Sequence, residues 1–333
     1  VSYRVIGETT EDYSLVYGNE KLDINELRKE WDSTLESVFR TEAKIEETNI
    51  DIPLYEAKEK VSPVIKIAKP KVFIPVFPGT NCEYDTSREF KKAGAETDVF
   101  VFRNGNAHEV EESIEEMVKR INTSQMIMLS GGFSAGDEPD GSGKFISAVF
   151  RNEKIKEAVH EMLKNRDGLM LGICNGFQAL IKLGLVPYGE IRDLDVNSPT
   201  LTFNKIGRHV SRMVTTKVIS NKSPWISNDD LGKLHSIAVS HGEGRFVAND
   251  EVMKSLIANG QVATQYVNFK GKGTYDIEFN PNGSVYAVEG ITSPDGRVFG
   301  KMGHSERIGN GVAKNILGEK DQQLFKNGVN YFK

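Results

Sequence analysis

Hydrophobic positions divide this chain of 333 residues into two unlike regions. Before Pro70 the pattern is sparse. Val1–Ile6 reads as a short strand. Asn25–Phe39 reads as an amphipathic helix with Leu27, Trp31, Leu35 and Val38 on one side. The charged stretch T-E-A-K-I-E-E-T-N that follows has no period, and Lys69-Pro70 marks a domain boundary. Residues 1–65 therefore read as a small α+β segment with a linker, and 66–333 as the main domain.

From Lys71 strand and helix alternate. Val72–Phe77 is a buried-type strand, although Pro75 is awkward in a central one. Glu83–Ala93 reads as a helix ended by Gly94, Thr97–Phe102 as a strand and Glu109–Ile121 as a helix. Met126–Leu129 is a strand leading into Ser130-Gly131-Gly132. Helical segments span Phe145–Lys164, and Asp167-Gly168 turns into strand Leu169–Leu171. The next helix places Phe177, Leu180 and Ile181 on one face and stops at Gly184, before Pro187. After residue 195 short strands take over: Leu201–Phe203, Met213–Ile219, Ser236–Val239, Ser284–Glu289 and Val298–Met302. The alternation predicts an α/β fold, a mostly parallel open sheet with helices on both faces and additional short strands in the C-terminal half. Ligands of such sheets sit outside the carboxyl ends of the strands. Three loops at such ends stand out: Pro78–Cys82, Ser130–Asp137 and Gly172–Gly176.

Composition narrows the function classes. A net charge of −5 and a pI near 5.8 give no electrostatic footprint for nucleic acid or an anionic membrane. No apolar run approaches the roughly 18 residues of a membrane span. The N-terminus is no signal peptide. It also lacks an initiator Met, from which a piece of a larger protein is expected. The only cysteines are Cys82 and Cys174. Such scarcity fits a reducing, cytoplasmic setting and argues against a disulfide framework or a structural zinc site.

The most specific chemical signal is Leu169–Phe177, L-M-L-G-I-C-N-G-F. An apolar strand ends in a Gly-x-Cys-x-Gly turn that opens a helix, the pattern of a nucleophile elbow with sulfur in place of oxygen. Cys174 at a helix N-terminus is favoured as thiolate. The bland alternative is a buried cysteine acting as a small apolar side chain; the glycine context favours the nucleophile. Cys82, after Gly79-Thr80-Asn81, is a second reactive thiol or, more simply, loop packing.

A thiol nucleophile needs a base. Of six histidines, His108 and His160 fall on surface helices, whereas His304 follows strand Val298–Met302 directly. Glu306, two residues on, faces the same way in extended chain and can orient the imidazole. H-x-E is weak alone and gains weight only beside the elbow. For an oxyanion hole, the Asn175 N–H is one natural donor, and the loop Ser130–Asp137 can supply another through Gly131 and Gly132. That loop lacks the G-K-[ST] ending of a P-loop. Ser240–Phe246, S-H-G-E-G-R-F, is either a loop folded against a ligand or an ordinary hairpin turn.

Taken in order, G-T-N-C (79–82), G-G-F-S-A-G-D (131–137), G-I-C-N-G-F-Q (172–178), H-G-E-G-R-F (241–246) and G-H-S-E-R (303–307) resemble the class I (triad) glutamine amidotransferases. They are most similar to the glutaminase domain of phosphoribosylformylglycinamidine synthase in its long, fused form. The resemblance covers residues 70 to 333, and residues 1–60 look more loosely like the end of that enzyme's synthetase portion. It implies that Cys174 attacks the side-chain amide of L-glutamine, that His304 moves the protons and that Glu306 orients it. It places Gly132, Phe133 and Asn175 in the oxyanion hole. It gives Gln178, Asn81 and His241, Gly242, Glu243, Gly244, Arg245 and Phe246 to the substrate site. It implies no metal and no cofactor in this chain, ATP and magnesium in the synthetase portion, and that portion as partner. Two departures matter. The family commonly has Pro where Ser305 stands, which is expected to loosen the loop. Glu138-Pro139-Asp140 is not the usual continuation of the glycine loop and changes one site wall. The rival readings are a related α/β cysteine hydrolase or peptidase, and a non-catalytic regulatory domain of the same fold. The H-x-E and H-G-E-G-R signals count against the first, and the intact Cys174, His304 and Glu306 against the second.

Overall fold

Short apolar runs between glycine-marked turns build the scaffold of the computed structural model, which describes residues 2–43, 50–133 and 143–333. The chain divides into two compact units, Val1–Lys44 and Ile45–Lys333.

In the first unit, β1 (Ser14–Tyr17) and β2 (Glu20–Asp23) pair as an antiparallel hairpin around Gly18, φ +61°. A left-handed glycine at a two-residue loop matches the twist of such hairpins. α1 (Ile24–Ser33) follows, its Asn25 and Glu26 amides capped by the Asp23 carboxylate. The strand expected at Val1–Ile6 does not form; residues 2–6 carry no regular structure. The helix also stops well short of Phe39. α1 buries none of its residues, so no packing extends it beyond what local propensity supports.

In the second unit β3 (Lys71–Val76), α2 (Glu83–Ala93), β4 (Glu96–Val101), α3 (Ala107–Thr123) and β5 (Met126–Leu129) lead to α4 (Lys144–Phe150) and α5 (Glu153–Asn165). Then come β6 (Leu169–Ile173), α6 (Asn175–Leu183) and α7 (Leu185–Tyr188). The remainder comprises β7 (Thr200–Phe203), β8 (Val210–Val218), β9 (Leu234–His241), β10 (Glu243–Val247), α8 (Asp250–Ala258), β11 (Val262–Tyr266), β12 (Val288–Thr292), β13 (Val298–Lys301) and α9 (Leu324–Tyr331). Nine strands form one sheet in the order β4-β3-β5-β6-β13-β12-β11-β8-β9. The half from β4 to β13 is parallel, and every pairing beyond β13 is antiparallel. The later strands therefore extend the same sheet. The β3–β5 register ends at Phe73–Ile127, so Pro75 lies beyond that ladder and does not interrupt it.

Three differences from the sequence expectation have a physical cause. Residues 50–67 pack on the body: Ile50 and Ile52 are buried, Tyr55 N–H donates to Ile219 O at 2.8 Å and Ile67 N–H to Phe332 O at 2.7 Å. These long-range bonds are invisible to a composition shift at Lys69-Pro70. The strand expected at Ser284–Glu289 begins only at Val288, because Tyr286 and Ala287 take φ of +50° and +51°, which no strand allows. His241–Phe246 is not a simple hairpin. β9 belongs to the large sheet, while β10 leaves it to pair with β7.

The main core runs from Val72, Phe73 and Ile74 through Leu169, Met170 and Leu171 to Phe299 and Phe332, and Ile50, Val214, Val239, Tyr266 and Ala287 form a second cluster. Among the described residues no helix is long and apolar enough to cross a membrane. The tightest approach lies where α6 starts. A Cβ at Gly176 would stand 1.9 Å from Leu129 O, and one at Gly172 would stand 2.5 Å from Leu180 Cδ1. Gly176→Ala should therefore push α6 off β5 and lower stability by about 3 kcal/mol, read from the midpoint of denaturant unfolding. A midpoint within error of wild type would mean that this contact relaxes freely.

Candidate active site

Four neighbouring parallel strands deliver the site. β3 runs into the loop ending at Cys82, β5 into Ser130–Phe133, β6 into Cys174 and β13 into Met302–Glu306. A Cβ placed on Gly131 would lie 2.8 Å from His304 Cε1, 3.2 Å from Cys82 Sγ and 3.5 Å from Cys174 Cβ. Both cysteines and the histidine thus crowd around one glycine, and only hydrogen fits at its α-carbon.

Cys174 joins β6 to α6 with φ +53° and ψ −107°. Such backbone in a non-glycine residue costs about 1–3 kcal/mol and persists only where surrounding structure enforces it. Here the enforcement is visible. Cys174 N–H donates to Lys301 O at 2.8 Å, Cys174 O accepts from Gln178 N–H at 3.1 Å, and flanking Gly172 and Gly176 admit their neighbours. The thiol is buried and directed at Ser240 O, 3.6 Å away.

His304 is held by backbone and side chain. Its N–H donates to Ala238 O at 2.8 Å, and Nδ1 lies 2.5 Å from Glu306 Oε1. Since the carboxylate accepts, Nδ1 carries a proton, and the buried Nε2 has no hydrogen-bond partner among the described residues. Burial presses the imidazole towards its neutral form. The Glu306 carboxylate and the nearby Cys174 and Cys82 sulfurs overcome it and hold His304 well above the usual histidine range. The same pairing offsets the burial of Glu306 and draws its carboxyl down. Arg88 Nη2 donates to Glu306 O at 3.2 Å, bracing the loop from α2. Ser305, expected to loosen this loop, instead donates to Gln322 Oε1 at 2.6 Å in a buried contact.

Other expected site residues are placed unevenly. Gly132 has φ +148°, and a Cβ there would meet Gly79 O at 2.6 Å, so the glycine is required for the Thr80–Gly132 bridge. Phe133, expected as an oxyanion donor, has its N–H engaged by Gly79 O at 2.8 Å, because that bridge takes the amide. Asn175 begins α6 directly after the thiol, where helix amides point outward. Its side chain donates to Gln178 Oε1 at 2.9 Å, and Gln178 Nε2 donates to Glu243 O. Gln178, expected on substrate, is thereby a tie between α6 and β10. Phe246, also expected there, is fully buried in the core with its N–H on Ser284 Oγ, since β10 turns it inward. Gly244 lies against His241 and Met302, Gly242 is half-buried, and the buried Arg245 Nε has no partner among the described residues. His241 is fully buried. Its desolvation, with His304 and His209 nearby, lowers its pKa to about 3 and keeps it neutral. Asn81 is exposed and its Oδ1 accepts from Cys82 Sγ at 3.1 Å. Residues 134–142, including Ser134–Asp137 and Glu138-Pro139-Asp140, lie outside the described residues. His108 is exposed on α3, and His160 Nε2 accepts from Ile191 N–H at 2.8 Å.

Cys82, His304 and Glu306 bring three ligand-type atoms within 4.8 Å of one another. A cation there would face the Arg307 guanidinium, 3.5 Å from Cys82 Sγ, and would have to break the His304–Glu306 bond. Arg88 was not singled out from sequence, because it acts through a fold-dependent contact. Ser240 and Arg307 had a signal only as end residues of S-H-G-E-G-R-F and G-H-S-E-R.

An elbow cysteine facing a histidine–carboxylate pair at the carboxyl edge of a parallel sheet is the architecture of a triad glutamine amidotransferase. Residues 69–332 match the CobB/CobQ-like glutamine amidotransferase domain, and the chain belongs to that family. The phosphoribosylformylglycinamidine synthase subunit PurQ of Methanococcus maripaludis (strain C7) is 31% identical over 294 residues, 81% of this chain and 99% of that protein. The PurQ of Sulfurimonas denitrificans is 32% identical over 253 residues, 75% of this chain and 95% of that one. Among solved structures, a chain of PurLQS from Thermotoga maritima superposes with a TM-score of 0.56 at 28% identity, covering 80% of this chain and 100% of that one.

The raised His304 pKa carries a pH signature. The stability that His304 draws from Glu306 is fully present below the unfolded histidine value of about 6.5. It is lost as pH rises through the raised folded value. Glu306→Gln should therefore lower Tm more at pH 6 than at pH 10, by thermal unfolding across that range. An equal loss at both ends would show that the pair is not ionised.

Proposed function

We propose that this chain hydrolyses L-glutamine to glutamate and ammonia through a Cys174 thioester, and delivers the ammonia to the amination catalysed by phosphoribosylformylglycinamidine synthase. The observation that carries the reading is Cys174, strained at its elbow, beside a histidine whose other nitrogen is fixed by Glu306. Family membership and resemblance to PurQ over nearly the whole of those proteins support the substrate and the pathway.

The chemistry follows from the geometry. Cys174 reacts as a thiolate whose proton rests on His304 Nε2, and the sulfur adds to the glutamine Cδ, forming a C–S bond as the carbonyl π pair moves to oxygen. The Gly132 and Asn175 amides would receive that oxyanion, and Phe133 would join only after releasing Gly79 O. Collapse expels the nitrogen, which takes the proton from His304 and leaves as ammonia. Water, deprotonated by His304, then cleaves the thioester to glutamate and restores the thiol. Glu306 keeps Nδ1 protonated throughout, so that Nε2 alone exchanges protons.

The amination belongs to a synthetase partner, as does its ATP and magnesium; the names of the relatives, a synthase subunit and a PurLQS assembly, support such a partner. Two free thiols at the site fit a reducing cytoplasm.

Cys174→Ala should abolish glutaminase activity and labelling by a glutamine-analogue electrophile, whereas Cys82→Ala should keep most of both. Peptide mass spectrometry of the labelled chain, with an ammonia-release assay, makes the comparison. Substantial glutamine hydrolysis surviving in Cys174→Ala would overturn the mechanism.

A further inference from the structure

The residue before His304 is gripped on both sides by a buried ion pair that the reaction itself does not use. Lys301 and Glu289 are each wholly buried, with Nζ 3.1 Å from Oε1. Gly303 lies between them. Its N–H donates to Glu289 Oε1 at 2.6 Å, and its carbonyl accepts from Lys301 Nζ at 2.7 Å. A Cβ on Gly303 would stand 2.9 Å from Glu289 Oε1, 3.1 Å from Lys301 Nζ and 2.7 Å from Ile237 Cγ2. The second carboxylate oxygen of Glu289 is anchored by the Thr264 hydroxyl on β11, and Glu289 O accepts from Met302 N–H at 3.1 Å. The main-chain carbonyl of Lys301 also takes the Cys174 N–H at 2.8 Å. One residue thus holds the nucleophile's amide with its backbone and the base's preceding peptide with its ammonium.

A buried ion pair is a poor source of net stability, because desolvating two charges offsets most of their attraction. Well-packed apolar residues would serve the core as well. What the pair supplies here is direction: the Met302–Gly303 peptide is held through its N–H and the Gly303–His304 peptide through its carbonyl, both by charged groups, and rotation of either would swing His304. We propose that Lys301 and Glu289 are positioning residues that set the aim of His304 Nε2 at the Cys174 thiol. The inference rests on the glutaminase reading above. A displacement of about 1 Å at a proton-transferring group can lower a rate on the order of 100-fold, so even partial loosening should be measurable.

The test removes both charges together, so that neither is left unpaired. Lys301→Met/Glu289→Gln should fold, with glutaminase kcat lowered about tenfold or more and KM for glutamine changed less than about twofold, since ground-state binding does not need the aligned imidazole. Labelling of Cys174 by the glutamine-analogue electrophile should slow in parallel with kcat. Gly303→Ala, which wedges a methyl between the same two groups, should give the same split and carries the test if the double variant does not fold. Wild-type kcat in both folded variants, or a fall in Tm alone, would overturn the positioning role. Wild-type protein that neither hydrolyses glutamine nor takes the label would instead overturn the glutaminase reading.

Discussion

The site depends on the parallel pairing of β6 with β13. Those strands are far apart in sequence, yet their register sets Ile173 beside Lys301 and lets the Cys174 amide donate to the Lys301 carbonyl. Cys174 follows β6 by one residue and His304 follows β13 by three. β6 releases the chain into the Cys174 elbow, and β13 into the His304 turn. Slipping that register by one residue would reverse which face each side chain points to, and the thiol and the imidazole would no longer share a side.

Close approach is the second constraint. The core can be dense around the elbow only because glycine stands at the contact points: Gly176 against β5, Gly172 against α6, Gly131 against His304 and both thiols. The strain in the Cys174 backbone is sustained by this packing. Stability is thus transferred from a well-packed sheet to one residue held in a sparsely populated conformation, which aims its sulfur at the site.

Electrostatics then sort the two neighbouring histidines. His304 and His241 are both buried, and burial favours the neutral form in each. His304 has a carboxylate on its Nδ1, and that charge, with the nearby Cys174 and Cys82 sulfurs, reverses the outcome. His241 meets an amide oxygen of Asn204 instead, 3.2 Å from Nδ1, and stays neutral. Two identical side chains are thus given different charge states by their partners, as general acid–base work requires.

The sequence by itself determined what depends on local chemistry. The alternation from Lys71 onward, the elbow at Cys174 and the pairing of His304 with Glu306 need only short-range spacing, and each was legible from residues a few positions apart. What depends on distant segments was not. Gln178 looked like a substrate contact until its two polar ends were seen to tie α6 to β10, and Phe246 until β10 turned it into the core. The Phe133 amide looked free until the Thr80–Gly132 bridge engaged it. Residues 50–65 read as linker because their bonds run to distant residues such as Ile219 and Asn221. Lys301 and Glu289 carried no signal, since a lone lysine and a lone glutamate in apolar strands declare nothing until β12 and β13 lie side by side. Local pattern marks the candidate nucleophile and its histidine; only the sheet register and the packing around them decide which polar groups remain available to take part.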